Sequence, residues 1–230
     1  RLGIARLRRE APTRPRSVRV AVGIATDVEY WYDIRIDASS GGTYKVSSES
    51  LSSVDGVADD LLLVEDGNVR TVVDGLAPVG SVTDLVLPSI GSHPRVKPVL
   101  DVLRGVRIHS IFPRDLSAPQ TVGARPPLDD TGSNWCVALQ SLPVDARRNL
   151  NLALARITGD IVDTRVDTSG GYYVAEFAHE IDGRRRWFNA AQESDGTLRL
   201  AGVLTALLQD PPPSFVGIEE PELTINPGLL

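Results

Sequence analysis

Apolar and polar residues alternate along "SVRVAVGIAT" (17–26) and again along "EYWYDIRIDA" (29–38), the two-residue period of strands with one face turned inward. Gly41-Gly42 reads as a turn into "TYKVSSES", which makes 30–49 a hairpin. "LLLVEDGNVRTVVDG" predicts a second hairpin with Asp66, Gly67 and Asn68 at its turn. The first part of the chain, 1–90, thus reads as an antiparallel β-rich subdomain.

The period then lengthens. "HPRVKPVLDVLRGV" predicts a short helix closed by Gly105, and "RIHSIFP" a strand. Residues 113–127 read as a proline-bearing loop. "SNWCVALQSL" predicts a helix capped by Ser133, and "VDARRNLNLALARI" a longer one with Leu150, Leu154 and Ile157 on one face. Residues 91–160 are therefore expected to be a helical insertion or lobe. "IVDTRVDT" and "YYVAEFAHEI" flank Ser169-Gly170-Gly171 as a further β-pair, and "RRRWFNAA" follows a turn at Asp182-Gly183. "GTLRLAGVLTALLQ" predicts a helix with Leu198, Val203, Leu204 and Leu207 on its apolar face. The apolar run Phe215–Ile218 predicts a buried core strand with Glu219 and Glu220 at its exposed carboxyl end.

Composition narrows the chemistry. With 42% hydrophobic and 23% charged residues the chain is an ordinary globular one, and its net charge of −6 makes it no general attractor of nucleic acid. Six arginines in the first 16 residues fit either the solvated end of a helix and linker or a DNA-contacting basic patch. The only lysines are Lys45 and Lys97, and neither follows glycines as a phosphate-cradling lysine does. The motif G-x-x-x-x-G-K-[ST] does not occur in the chain. One cysteine, Cys136, excludes a disulfide within the chain and fits a reducing cytoplasm. No apolar run approaches the ~20 residues that span a bilayer, so no membrane contact is expected. The absence of methionine leads us to expect further sequence upstream of Arg1.

Strands of open α/β sheets carry their chemistry at their carboxyl ends. Glu219 and Glu220 stand at such an end, where one carboxylate can support Mg²⁺ and the other can deprotonate water. Taken alone, they read first as a solvated strand end. Upstream, Ser194, Asp195, Gly196 and Thr197 form a small polar turn opening a helix, which fits a simple N-cap or an anion site of free N–H groups.

Other candidates point to structure. His93, His109 and His179 lack metal-ligand spacing, with one another or with Cys136, and read as scattered histidines. Cys136 reads as a buried small residue, Asp129-Asp130 as a loop start, and Tyr30, Trp31 and Tyr32 as core aromatics in preference to base-stacking ones.

The order "SDGTLRL", then "FVGIEEPELTINPGLL", resembles the signature motif, Walker B strand and D-loop of RecF/OLD-like ABC-type ATPases, which often read S-D-G-T-x-R, an apolar strand, E-E-P-E and H-P. "FPRDLSAPQ" and "LDDTGSNWCVALQSL" also look like that group's insertion, so the similarity covers roughly 106–230. The resemblance implies an α/β fold, a partial P-loop NTPase of ABC/RecF type in which 161–230 supply the signature helix and Walker B part of the core. It implies ATP and Mg²⁺ as ligands, Glu219 as the metal-supporting acid and Glu220 as the catalytic glutamate. Ser194, Asp195, Gly196 and Thr197 would reach the γ-phosphate held by a second copy, giving a nucleotide-sandwich dimer. DNA is a candidate partner, with DNA repair or phage defence as the output. Pro221, Glu222 and Pro227 match the D-loop region, while Asn226 departs from the usual histidine. The switch histidine of such proteins would lie beyond Leu230. The alternative is a non-catalytic protein- or DNA-interaction module with degenerate nucleotide motifs.

Overall fold

The computed structural model describes residues 17–38, 43–55, 57–75 and 83–222. The arginine-rich start, the Gly41-Gly42 turn, Asn226 and Pro227 lie outside the described residues. The chain divides into two compact units, Arg1–Arg104 and Gly105–Leu230. No helix among the described residues is long and apolar enough to cross a membrane.

In the first unit, five strands pair in chain order as an antiparallel meander: β1 (Ser17–Ala25), β2 (Glu29–Ala38), β3 (Tyr44–Asp55), β4 (Val57–Glu65) and β5 (Asn68–Val72). Both expected hairpins are present. Asp66 and Gly67, with φ of +48° and +77°, make the two-residue turn between β4 and β5 that suits the twist of paired strands. Strand alternation buries Tyr30 and Tyr32 and leaves Trp31 58% exposed, which corrects the expectation that all three aromatics are core. Leu51, Leu62 and Val64 join the buried face, closed by Val86, Leu87, Ile90, Val96 and Val99 and by α1 (Lys97–Arg104). Glu49 is fully buried here. It accepts hydrogen bonds from the Tyr32 hydroxyl (2.9 Å) and the N–H groups of Val86 (2.6 Å) and Leu87 (3.0 Å), so its charge is matched by donors. Burial first, and Glu49 second, push the Tyr32 phenol far above its ordinary pKa.

The second unit contains β6 (Val106–His109), α2 (Pro113–Ser117), β7 (Gln120–Thr121), α3 (Trp135–Ser141), α4 (Val144–Thr158), β8 (Ile161–Ser169), β9 (Tyr172–Ile181), β10 (Arg184–Asn189), α5 (Asp195–Leu207) and β11 (Phe215–Ile218). Central β9 pairs antiparallel with β8, β10 and β7. The helices bury Trp135, Leu139, Leu150, Leu154 and Leu198 against Phe177 and Ile161 of this sheet, with the Trp135 and Phe177 rings stacked 6.0 Å apart. Strands β6 and β11 form a separate parallel pair.

Four sequence expectations are corrected in this unit. The strand expected through 107–113 ends at His109, and Pro113, whose missing N–H suits a first helical turn, opens α2 inside the supposed loop. Ser133 does not cap α3. Its hydroxyl donates to Asp129, and Asn134 occupies the N-cap position without a side-chain cap bond. The buried face of α5 is Leu198, Arg199, Ala201, Gly202, Thr205 and Ala206, while Leu207 is exposed. Small residues let α5 lie close to its neighbours, and Trp135 Nε1–H donates to Thr205 Oγ1 at 2.9 Å in that contact. Finally, β11 is not a buried core strand. Phe215 is 58% exposed and the next three residues are half-buried, because among the described residues β11 has a partner on one side only and the core covers just Val216 and Ile218.

Candidate site at the ends of the parallel strands

The parallel register sets Ile218 beside His109, so both strands end at the same level. The Glu219 N–H extends the ladder by one bond to the His109 carbonyl (2.9 Å). Glu219 and Glu220 follow as exposed residues, as the sequence predicts. Ser110, the first residue after β6, donates its hydroxyl to Glu219 Oε2 and so orients that carboxylate. Glu220 has φ +47°, the left-handed region that a side chain disfavours.

Neighbouring backbone is stitched to this end. The Ser110 N–H donates to the Asp130 carbonyl (2.7 Å) and the Phe112 N–H to the Thr131 carbonyl (3.1 Å). Asp129 organises that loop, its Oδ1 accepting from the N–H groups of Thr131 (3.1 Å), Gly132 (2.6 Å) and Ser133 (2.8 Å). Burial pushes the Asp129 pKa up, but these donors and the Ser133 hydroxyl outweigh it and hold the carboxyl below its ordinary value. Asp129 is thus a loop cap, and no group of three or more His, Cys, Asp or Glu able to hold a metal exists among the described residues. His109 is fully buried with Nδ1 3.0 Å from the Asp129 carbonyl. A carbonyl only accepts, so Nδ1 carries the hydrogen. Its Nε2 is buried and has no partner among the described residues.

The polar turn lies where expected, at the start of α5. Ser194 is the N-cap, and its hydroxyl accepts from the Thr197 N–H (3.1 Å). Ser194 and Asp195 are exposed, and Gly196 and Thr197 half-buried. Arg199, in the second turn, joins this helix to the acids. Its Nη2 donates to the carbonyl oxygens of Glu219 and Glu220, each at 2.7 Å. Ser110 and His109 escaped the sequence-level assignment, whereas Arg199 is the arginine of the S-D-G-T-x-R match but carries no role there. Arg199 had a signal, since helical spacing puts its charge on the face of Gly202 and Ala206.

The donor set is one of hard oxygens: two exposed carboxylates and the Ser110 hydroxyl. That suits Mg²⁺, which takes one or two carboxylates and fills its remaining positions with water and phosphate oxygens. The helix start offers the hydroxyls and N–H groups of an anion contact.

No curated protein matches the chain. Residues 105–230 match the family model described as "AAA domain, putative AbiEii toxin, Type IV TA system". These residues coincide with the second compact unit and make up more than half of the sequence, and the chain accordingly belongs to this family of nucleotide-binding P-loop ATPases.

Proposed function

We propose that the chain supplies the acidic half of an ABC-type ATP-hydrolysing site, of the RecF/OLD-like kind, that closes between two copies of the protein. The observation that carries this is the Arg199 guanidinium, which ties the helix opened by Ser194, Asp195, Gly196 and Thr197 to the backbone of both Glu219 and Glu220. Two segments 20 residues and more apart in sequence thereby belong to one structural feature. The half-buried strand is a less protected platform than the core strand expected, yet it keeps the parallel pairing and the exposed acidic end.

In this scheme Glu220 takes a proton from the water that attacks the γ-phosphorus, as the bond to the ADP leaving group breaks. Glu219, oriented by Ser110, supports Mg²⁺ through its water shell. Mg²⁺ held there would supply neutralisation of charge on the phosphate oxygens. Ser194 and the free N–H groups at the start of α5 meet the γ-phosphate held by the second copy. Residues 161–230 then contribute the signature helix and Walker B part, and α2, α3 and α4 the helical lobe, since α1 packs in the first unit. Of the two outputs considered, the toxin–antitoxin wording of the family description favours defence over DNA repair.

Steady-state hydrolysis and nucleotide binding by the full-length protein test the scheme. Glu220→Gln keeps the shape of the side chain but cannot take a proton, so turnover should fall ~10²–10⁴-fold while ATP binding persists. Glu219→Gln should weaken the Mg²⁺ dependence, and Ser194→Arg should impair turnover while sparing binding by a single copy. Near wild-type turnover of Glu220→Gln would remove the catalytic assignment.

A further inference from the structure

Arg199 is a charge where an apolar helix face would ordinarily be. It is 5% exposed, in the row that also buries Leu198, Ala201 and Gly202. A guanidinium cannot shed its charge when buried, so it must find acceptors. Those it finds are not carboxylates but two consecutive main-chain carbonyls, of Glu219 and Glu220, each 2.7 Å from the same nitrogen. Its Nε–H is buried and meets no acceptor among the described residues. That is a poor arrangement for simple packing and a good one for fixing a backbone. The backbone in question needs fixing, because Glu220 is left-handed at φ +47° although it carries a side chain.

We propose that Arg199 is a positioning residue that sets the peptide bearing the two acids, and that it passes displacements of the α5 start to the Glu220 carboxylate. The inference rests on the ATPase assignment for its kinetic consequence but not for its structural one. Both carbonyls belong to the residues whose side chains carry the proposed chemistry. Moving the helix moves the guanidinium, and the guanidinium holds the two peptide planes. A contact at Ser194 or Thr197 is thereby read out at Glu220 without either side chain touching it. Lysine replaces this function poorly, because the two N–H groups of Arg199 Nη2 are held in the rigid guanidinium plane, whereas an ammonium turns freely on a flexible stem.

Hydrogen exchange on the chain itself tests the structural half. In Arg199→Lys and Arg199→Met, the Glu219 amide, which donates to the His109 carbonyl, should exchange roughly ten-fold faster or more, while those of α5 stay protected. Unchanged exchange at the strand end, or equal loosening of α5 and its core, would reduce Arg199 to a packing residue and overturn the proposal. Kinetics of the full-length protein test the other half. Arg199→Lys, which retains the charge, should lower kcat about 10–100-fold with KM changed only a few-fold. Combined with Glu220→Gln it should add no further loss, because both changes act through one carboxylate. Multiplying losses would overturn the coupling. If Glu220→Gln alone turns over normally, the ATPase assignment has failed, and the exchange result still decides whether Arg199 holds the strand end.

Discussion

Single side chains in this protein do their work through unusually specific partners, and His179 is the clearest. Its Nδ1 lies 2.9 Å from Asp160 and its Nε2 2.8 Å from Glu193, the residue just before the Ser194 cap. Burial lowers its pKa, but the bonds to Asp160 and Glu193 and their charges prevail and hold it above the ordinary histidine value. A raised folded value means that the imidazolium stabilises the fold fully below the unfolded pKa, about 6.5. That contribution disappears as pH rises through the folded value. His179→Gln should therefore cost about 1–3 kcal/mol in acid and progressively less as pH rises from about 6.5. Melting temperatures of both proteins across that range check this, and parallel profiles would refute it. Cys136 behaves oppositely. It is fully buried, and burial pushes its thiol up to about 11. It should resist a thiol reagent near neutral pH until the chain unfolds, which timed alkylation with and without denaturant will show.

Elements show how much of the fold the sequence carries and where it stops. Alternation and turn chemistry were enough for β1, β2 and β5, and for the β8–β10 meander, because Asp66-Gly67, Gly170-Gly171 and Asp182-Gly183 all adopt the positive φ that their residue types favour. The serine-rich end of β3 and the start of β4 lack alternating apolar residues, so pairing with neighbours and not local pattern makes them strands. Helix α5 is readable as a helix but not in its orientation. Leucines signal an apolar face, whereas packing selects the face of smallest side chains so that the helix can approach Ile111 and Leu116. In the candidate site, the acids and the polar turn are visible as motifs. Ser110 matters through a contact 109 residues distant, which no local pattern encodes, and the motif shows Arg199 without showing that it bonds to the Glu219 and Glu220 carbonyls. The close approach of α5 gives a test. A Cβ on Gly202 would stand 2.8 Å from Leu116 Cδ2 and 2.9 Å from Ile111 Cγ2, and both neighbours are buried without room to swing outward. Alanine gains about 1 kcal/mol of helix propensity, but overpacking costs about 1–3 kcal/mol. Gly202→Ala should therefore be mildly destabilising and Gly202→Val clearly more so in urea unfolding. A more stable valine variant would show that the contact is looser than described.

At the scale of the molecule, the charge distribution decides what the chain does with nucleotide on its own. Its net charge is −6, and it contains no glycine-rich loop followed by lysine. Its two lysines are already engaged on the first unit, Lys45 with Asp66 and Lys97 with Asp101. In the second unit, the carboxylates of Glu219 and Glu220 are exposed at the strand end. Arg199, which contacts this end, faces the carbonyls and is buried, so it offers little charge to a phosphate. A triphosphate reaching this surface meets like charge. At ~4 Å two unit charges repel by ~4 kcal/mol at an effective dielectric of 20, enough to cancel roughly three powers of ten in affinity. Mg²⁺ between them relieves the repulsion but does not replace the backbone cradle that provides most of the affinity in P-loop proteins. We therefore expect isothermal titration of Mg-ATP into these 230 residues to give no saturable heat in the micromolar range, and the chain to show no turnover. The start of α5 adds only the hydroxyls and N–H groups of one helix, a contact suited to assist a phosphate held elsewhere and not to capture one. Micromolar binding by this chain would mean that another surface supplies the phosphate site, and that Glu219 and Glu220 are not the acids of an incomplete one.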